Sequence, residues 1–170
     1  MTQIELEKAI KLALKQAYIA NEKEEIPVGC CIITPLKDGK FDYTSAYNHV
    51  EADGDPFKHA EVLAINKLIK KYDKKHFLDS VLVVTLEPCP ICYYAIRKVG
   101  IKEIYYLLSN PDDGAFSKDY AQDRKINSHY IFNEEYKKLF DDFFVKYKID
   151  KKAEKEQKKR ETIKKPRWER

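Results

Sequence analysis

The chain has 170 residues, of which 35% are charged and 44% are hydrophobic, as expected for one folded globular domain. No apolar run approaches the ~20 residues that span a bilayer. The first residues, Met1 to Glu7, have neither the basic start nor the apolar run of a signal peptide. We therefore expect a cytoplasmic protein with no membrane partner. Without a secretory signal, the four cysteines favour metal or redox chemistry over a disulfide framework.

The formal net charge of +4 is unevenly distributed along the chain. Residues 151–170 contain ten basic and four acidic side chains, a net charge of +6, which leaves −2 for residues 1–150. This basic segment has a single aromatic residue, Trp168, and too few apolar side chains to form a core. We predict a folded domain over residues 1–150 and a basic tail over residues 151–170. The tail either binds a polyanion or is a solvated appendage.

Apolar periodicity and turn residues predict alternating helices and strands. In the first half we predict a helix over residues 2–23, strands over residues 28–34 and 41–47, and a helix that carries Ala60 to Leu68 and ends near Tyr72. In the second half we predict a strand over residues 80–86, a helix over 89–99, a strand over 101–108, a long loop over 109–128, a weak strand over 129–132 and a helix over 134–148. This alternation indicates a layered α/β fold with helices on both faces of the sheet.

Two short motifs at predicted helix starts carry the candidate chemistry. His59-Ala60-Glu61 opens the second helix, and Pro88-Cys89-Pro90-Ile91-Cys92 opens the third. Because each helix follows a strand, right-handed crossovers would bring the two helix N-termini to the same edge of the sheet. The i, i+3 spacing of the cysteines places both sulfurs on one side of the helix, where the helix dipole favours thiolates. The histidine completes a Cys₂His set that leaves a tetrahedral Zn²⁺ with one open position.

An open position on zinc indicates catalysis, because zinc lowers the pKa of a bound water to about 7. Glu61 lies two residues beyond the candidate histidine ligand and is the natural group to move protons between water and substrate. A His-x-Glu motif paired with Pro-Cys-x-x-Cys is the signature of zinc deaminases.

Other interpretations of these residues remain open. Cys89 and Cys92 by themselves would also fit a redox pair. Cys30 or Cys31 could supply a fourth zinc ligand and close the site, although adjacent positions on an apolar strand favour two core residues that face opposite ways. The other histidines lack ligand spacing and are predicted to be surface or loop residues: His49, His76 and His129.

The two motifs and their flanking residues resemble the cytidine deaminase superfamily, and most closely the bacterial tRNA-specific adenosine deaminases. The segments that carry the resemblance are Asp-Pro-Phe-Lys-His-Ala-Glu at 55–61 and Thr-Leu-Glu-Pro-Cys-Pro-Ile-Cys at 85–92. Supporting matches are Ile-Pro-Val-Gly at 26–29, Asn48, residues 110–117 and residues 139–144 with the basic segment that follows. The similarity extends over roughly residues 5–160.

The resemblance implies a three-layer α/β/α sandwich with a mixed five-stranded sheet. It implies a homodimer that converts the wobble adenosine of a tRNA anticodon stem-loop to inosine by zinc-dependent hydrolysis. By matching positions, it implies one Zn²⁺ per chain held by His59, Cys89 and Cys92. It likewise implies that Glu61 is the proton shuttle and that Asn48 contacts the flipped-out nucleotide.

Two features depart from the family pattern at positions where we expect the substrate to fit. Tyr93 and Tyr94 follow the second cysteine, where small residues are common, and the loop from Gly114 to Lys118 lacks the second glycine. The main competing function is deamination of a free base or nucleoside such as guanine, cytosine or cytidine. Pro90 slightly favours that alternative, and the basic tail disfavours it, because a small neutral substrate gives no reason for basic residues. An RNA-binding module with a purely structural zinc is a third hypothesis, which the presence of Glu61 disfavours.

Overall fold

A central five-stranded sheet is flanked by helices in the computed structural model, which describes residues 2–122 and 125–164. The strands are β1 (Gly29–Pro35), β2 (Phe41–Tyr47), β3 (Val81–Leu86), β4 (Glu103–Leu108) and β5 (Asn127–Tyr130). The helices are α1 (Gln3–Glu22), α2 (Val50–Asp53), α3 (Ala60–Lys71), α4 (Pro90–Val99) and α5 (Glu134–Lys164). A short 3₁₀ turn spans Lys74–His76. Within the described residues, no helix is both long and apolar enough to cross a membrane.

The sheet is mixed, with the strand order β2-β1-β3-β4-β5. Strand β1 is antiparallel to both of its neighbours, and Cys31 pairs with Ser45 on one side and with Val83 on the other. Strands β3, β4 and β5 are mutually parallel. Because β1 is antiparallel to each neighbour, β2 and β3 run in the same direction. The predicted mixed five-stranded sheet is confirmed.

Alternate residues of strand β1 pack against different helical layers. Cys31 and Ile33 lie in one apolar cluster with Ala9 and Ala13 of α1. Cys30 lies in a second cluster, on the opposite face of the sheet. That second cluster joins the sheet to α3 and α4 through further buried side chains: Ile32, Ala64, Leu68, Leu82, Val84 and Ile96.

Helix α5 lies on the same face as α1, where Tyr136 packs with Ala17 and Leu107. The sheet is thus covered by α1 and α5 on one face and by α3 and α4 on the other. The predicted α/β/α layers are confirmed. Cys30 and Cys31 are fully buried core residues on opposite faces, as their adjacent positions on an apolar strand predict.

Three elements differ from the sequence-based expectation. Helix α2 is not among the predicted elements, because four residues are too few to show helical periodicity. Strand β5 begins at Asn127 rather than at residue 129. Helix α5 continues to Lys164 instead of ending near residue 148, because the segment is rich in the strong helix formers Lys and Glu. Much of the predicted basic tail is therefore helical, and residues 165–170, including Trp168, lie outside the described residues.

Helix α1 packs directly onto the backbone of β1 at Gly29. The facing helix residues Ala13 and Ala17 are fully buried. A Cβ atom at Gly29 would lie 2.1 Å from the carbonyl oxygen of Ala13 and 2.5 Å from the amide nitrogen of Ala17. Because both of these atoms belong to the helix backbone, neither can move aside by a change of rotamer.

We expect Gly29→Ala to lower the free energy of unfolding by about 3 kcal/mol, the upper end of the range for overpacking a core. The matched control is Gly39→Ala, where an added Cβ meets nothing within 4 Å and the φ of +79° is the source of strain. That substitution is expected to lower the free energy of unfolding by about 1 kcal/mol. Urea denaturation measures the free energy of unfolding of both variants. Equal losses of stability in Gly29→Ala and Gly39→Ala would contradict the close contact between α1 and β1.

Candidate active site

Two helix N-termini meet at one edge of the sheet, because β2 and β3 run in the same direction on either side of β1. His59 is the N-cap of α3, and Cys89 is the N-cap of α4. Cys92 lies in the first turn of α4. The structure therefore brings together the three side chains that the two sequence motifs predict as metal ligands.

The three side chains have the spacing and chemistry of a zinc site. Their candidate ligand atoms all lie within 4.8 Å of one another, and Nδ1 of His59 is 3.3 Å from Sγ of Cys92 and 3.5 Å from Sγ of Cys89. Two sulfurs and one imidazole nitrogen form a donor set that zinc prefers, with one tetrahedral position left open. Across residues 2–122 and 125–164, no other three such side chains come together in this way.

The electrostatics of the cluster favour a thiolate. A hydrogen bond from Cys92 is the main cause that lowers the pKa of Cys89 to about 4, and a hydrogen bond from His59 acts in the same direction. The same interaction with Cys89, together with burial, raises the pKa of Cys92. The hydrogen bond with Cys89 also raises the pKa of His59. The lowered pKa of Cys89 favours the deprotonated sulfur, which is the form that binds a metal.

Glu61 lies in the first turn of α3, and only 3% of its surface is exposed. Burial raises the pKa of its carboxyl group to about 7. A group with a pKa near neutrality can accept a proton in one step and return it in the next. The position of Glu61 beside His59 and Cys89 in the same pocket fits such a role.

The pocket above the cluster has a volume of about 220 Å³. Sites for drug-sized ligands typically occupy ~300–1,000 Å³, so this pocket fits a single base-sized group. Its lining comes from both helix starts and from the loops around them: Ile26, Val28, Asn48, Val50, His59, Glu61, Leu86, Glu87, Cys89, Asn110 and Asp113.

Glu87 organises one wall of this pocket and is not among the residues predicted from sequence. Its buried carboxylate accepts hydrogen bonds from the amide nitrogens of Asn110 (2.8 Å), Phe116 (3.0 Å) and Ser117 (2.7 Å), and from the Ser117 hydroxyl (2.6 Å). A Cβ at Gly114 would lie 2.3 Å from Cδ of Glu87, so the close approach of this loop requires glycine there. The carboxylate thereby holds the loop over residues 110–117 against the pocket.

Glu25 has the corresponding role on the other wall and is also absent from the sequence-based set. It is fully buried, and its carboxylate accepts hydrogen bonds from Nδ2 of Asn48 (3.1 Å) and from the amide nitrogens of Glu51 (3.1 Å) and Ala52 (2.7 Å). The only local signal is an acidic residue directly before the apolar segment that leads into β1. Such a residue is indistinguishable from an ordinary surface glutamate in sequence alone.

The two tyrosines after Cys92 are not among the residues that line the pocket. Tyr93 is fully buried in the core and meets the ring of Phe116 edge-on, with the ring centroids 5.7 Å apart. Tyr94 is half exposed. Successive residues of a helix point about 100° apart, so neither tyrosine shares the direction of the Cys92 side chain.

Comparisons with known proteins agree with this geometry. Residues 3–108 match the cytidine and deoxycytidylate deaminase zinc-binding region. The tRNA-specific adenosine deaminase of Aquifex aeolicus is 36% identical over 143 residues, which are 81% of this chain and 92% of that protein.

Two solved structures have a similar fold. One, from studies of A-to-I editing by tRNA:A34 deaminases, is 26% identical, with a TM-score of 0.62 over 76% of this chain and 99% of that chain. A guanine deaminase from Nitrosomonas europaea has a TM-score of 0.65 at 16% identity over 79% of this chain and 82% of that chain, which shows the shared fold alone. The chain belongs to the zinc-binding cytidine and deoxycytidylate deaminase family and, within it, to the tRNA-specific adenosine deaminases.

Proposed function

We propose that this chain converts the wobble adenosine of a tRNA anticodon to inosine by zinc-dependent hydrolysis. The observation that carries the proposal is the convergence of His59, Cys89 and Cys92 within 4.8 Å, in a pocket that also contains the buried Glu61. Membership of the tRNA-specific adenosine deaminases supplies the substrate class. A tRNA substrate also implies a cytoplasmic location.

His59, Cys89 and Cys92 would hold one Zn²⁺ per chain. Zinc at such a site acts as a Lewis acid and activates water near neutral pH. Hydrolysis forms a C–O bond at C6 of adenine and breaks the C–N bond to the exocyclic amine, which leaves as ammonia. One proton of the water goes to N1 of the base and the other to the departing amine. Glu61 is the group that accepts and delivers these protons.

Asn48 lies in the pocket lining and is our proposed contact to the substrate nucleotide. A pocket of about 220 Å³ admits one base and no neighbouring nucleotides, so the adenosine must leave its stack to enter. The remaining anticodon stem-loop would lie outside the pocket, where basic residues of the tail could contact its phosphates. We further propose a homodimer, as the family resemblance implies.

Cys92→Ala should reduce zinc from one ion per chain to almost none and should lower the melting temperature, because metal binding contributes to folding free energy. The matched control is Cys31→Ala, which removes a buried thiol from the opposite face of the sheet. That variant is expected to keep its zinc. Metal analysis of the purified proteins measures the zinc content of both variants, and full zinc occupancy in Cys92→Ala would contradict this ligand set and return Cys30 or Cys31 to consideration as a ligand.

Zinc-loaded protein should deaminate tRNA or an anticodon stem-loop with adenosine at the wobble position, and should leave adenosine, cytidine, guanine and cytosine unchanged. Mass spectrometry of the products measures the loss of the amine. Glu61→Gln should keep its zinc and lose at least about 100-fold in turnover, the usual contribution of general acid–base catalysis.

Each outcome of this assay discriminates between functions. Turnover of guanine or cytosine without turnover of the stem-loop would contradict the proposal and support a free-base deaminase. Full activity of Glu61→Gln, or loss of its zinc, would contradict the role of Glu61 as a proton carrier.

Removal of residues 151–170 should weaken tRNA binding and reduce its salt dependence. Each lost phosphate contact lowers the slope of log K against log salt by about 0.9 on a duplex and less on single strands. Zinc content should not change, because the ligands lie far from this segment in sequence and Tyr136 anchors α5 to the core. Equal salt slopes for the full and shortened chains would show that the tail is only a solvated appendage.

A further inference from the structure

Glu25 is a fully buried carboxylate behind the pocket wall rather than in the pocket lining. Asn48 does line the pocket, and Nδ2 of its side-chain amide donates to Oε2 of Glu25 at 3.1 Å. The other partners of the carboxylate are the amide nitrogens of Glu51 and Ala52, at the start of α2. All three partners are N–H donors.

This arrangement selects one orientation of the Asn48 amide. The oxygen and nitrogen of an asparagine amide are nearly equal in shape but opposite in hydrogen-bonding character. The two oxygens of Glu25 act as acceptors for three N–H donors, so they pair with Nδ2 of Asn48 and would repel Oδ1. With Nδ2 directed at Glu25, Oδ1 is left to accept a hydrogen bond from a ligand.

The same carboxylate also fixes the backbone around Asn48. The amide nitrogen of Asn48 donates to the carbonyl oxygen of Val28 at 3.1 Å, and Val28 and Val50 both line the pocket. Glu25 therefore joins the segment before β1 to the start of α2, the two pieces of chain that form this wall. These contacts hold the backbone on both sides of Asn48, so its side chain is presented to the pocket from a fixed position.

We propose that Glu25 is a positioning residue for substrate recognition, which acts by directing Oδ1 of Asn48 toward a hydroxyl or amine hydrogen of the substrate. This inference rests on the proposed function, in which Asn48 contacts the nucleotide. It goes further by naming the residue that sets the hydrogen-bonding character of that contact. Glu25 itself is neither in the pocket lining nor among the candidate metal ligands.

Glu25→Gln tests the proposal, because glutamine has almost the same shape but must direct its own NH₂ group at one or more N–H donors. We expect kcat/KM to fall roughly 10- to 100-fold, as for a lost hydrogen bond to a charged group, with unchanged zinc content. Because Glu25 acts through Asn48, the double variant Glu25→Gln/Asn48→Ala should be no worse than Asn48→Ala alone.

Glu87→Gln is the matched control. It also alters a buried carboxylate that accepts backbone hydrogen bonds beside the pocket, but its partners lie in the loop over residues 110–117. The loss of kcat/KM caused by Glu87→Gln, expressed as a free energy, should add to the loss caused by Asn48→Ala. Additive effects of Glu25→Gln and Asn48→Ala would overturn the proposal, because they would mean that Glu25 acts independently of Asn48.

A measurement without turnover separates this inference from the proposed function. In ¹⁵N-labelled wild-type protein, the Asn48 side-chain NH₂ signal, assigned by its loss in Asn48→Ala, should show one hydrogen that is protected from exchange with water. Fast exchange of both hydrogens in the wild type would overturn the proposal even if Glu25→Gln fails to fold. If the wild type deaminates a substrate other than tRNA, the proposed function fails, and the double-variant test is made on that substrate.

Discussion

The site depends on the common direction of β2 and β3, which are separated by the antiparallel strand β1. This arrangement brings both strands to the same edge of the sheet, so the helices that follow them begin side by side. The helices pack on one face through a shared core, which sets the distance between their first turns. His59 and Cys89 occupy the two N-cap positions, and the metal cluster is a direct consequence of this topology.

Two buried carboxylates hold the pocket walls together through hydrogen bonds to the loops that form them. Glu25 accepts three hydrogen bonds and Glu87 accepts four, most of them from backbone N–H groups. Burying a carboxyl group is unfavourable unless it is hydrogen-bonded, and these donors offset that cost. At these pocket walls, which largely lack regular secondary structure, hydrogen bonds to the two carboxylates hold the loops in place.

Local patterns in the sequence predict most of the strands, the main helices and the two motifs, because each depends on residues that are close in sequence. The mixed five-stranded sheet is an expectation from the family resemblance, because strand order depends on pairings between distant segments. Strand β2, for example, has the predicted bounds 41–47. The roles of Glu25 and Glu87 depend on partners 23 to 30 residues away, which no local pattern contains. The length of α5 was underestimated because its second half is highly charged, a composition typical both of exposed helices and of solvated tails.

X-ray absorption at the zinc K edge of the full-length protein tests the central claim most directly. A site made by His59, Cys89 and Cys92 predicts two sulfur neighbours at about 2.3 Å and two nitrogen or oxygen neighbours at about 2.0–2.1 Å, one of them outside the protein ligand set. Three or four sulfur neighbours would contradict the account, because a further cysteine would close the position that hydrolysis requires.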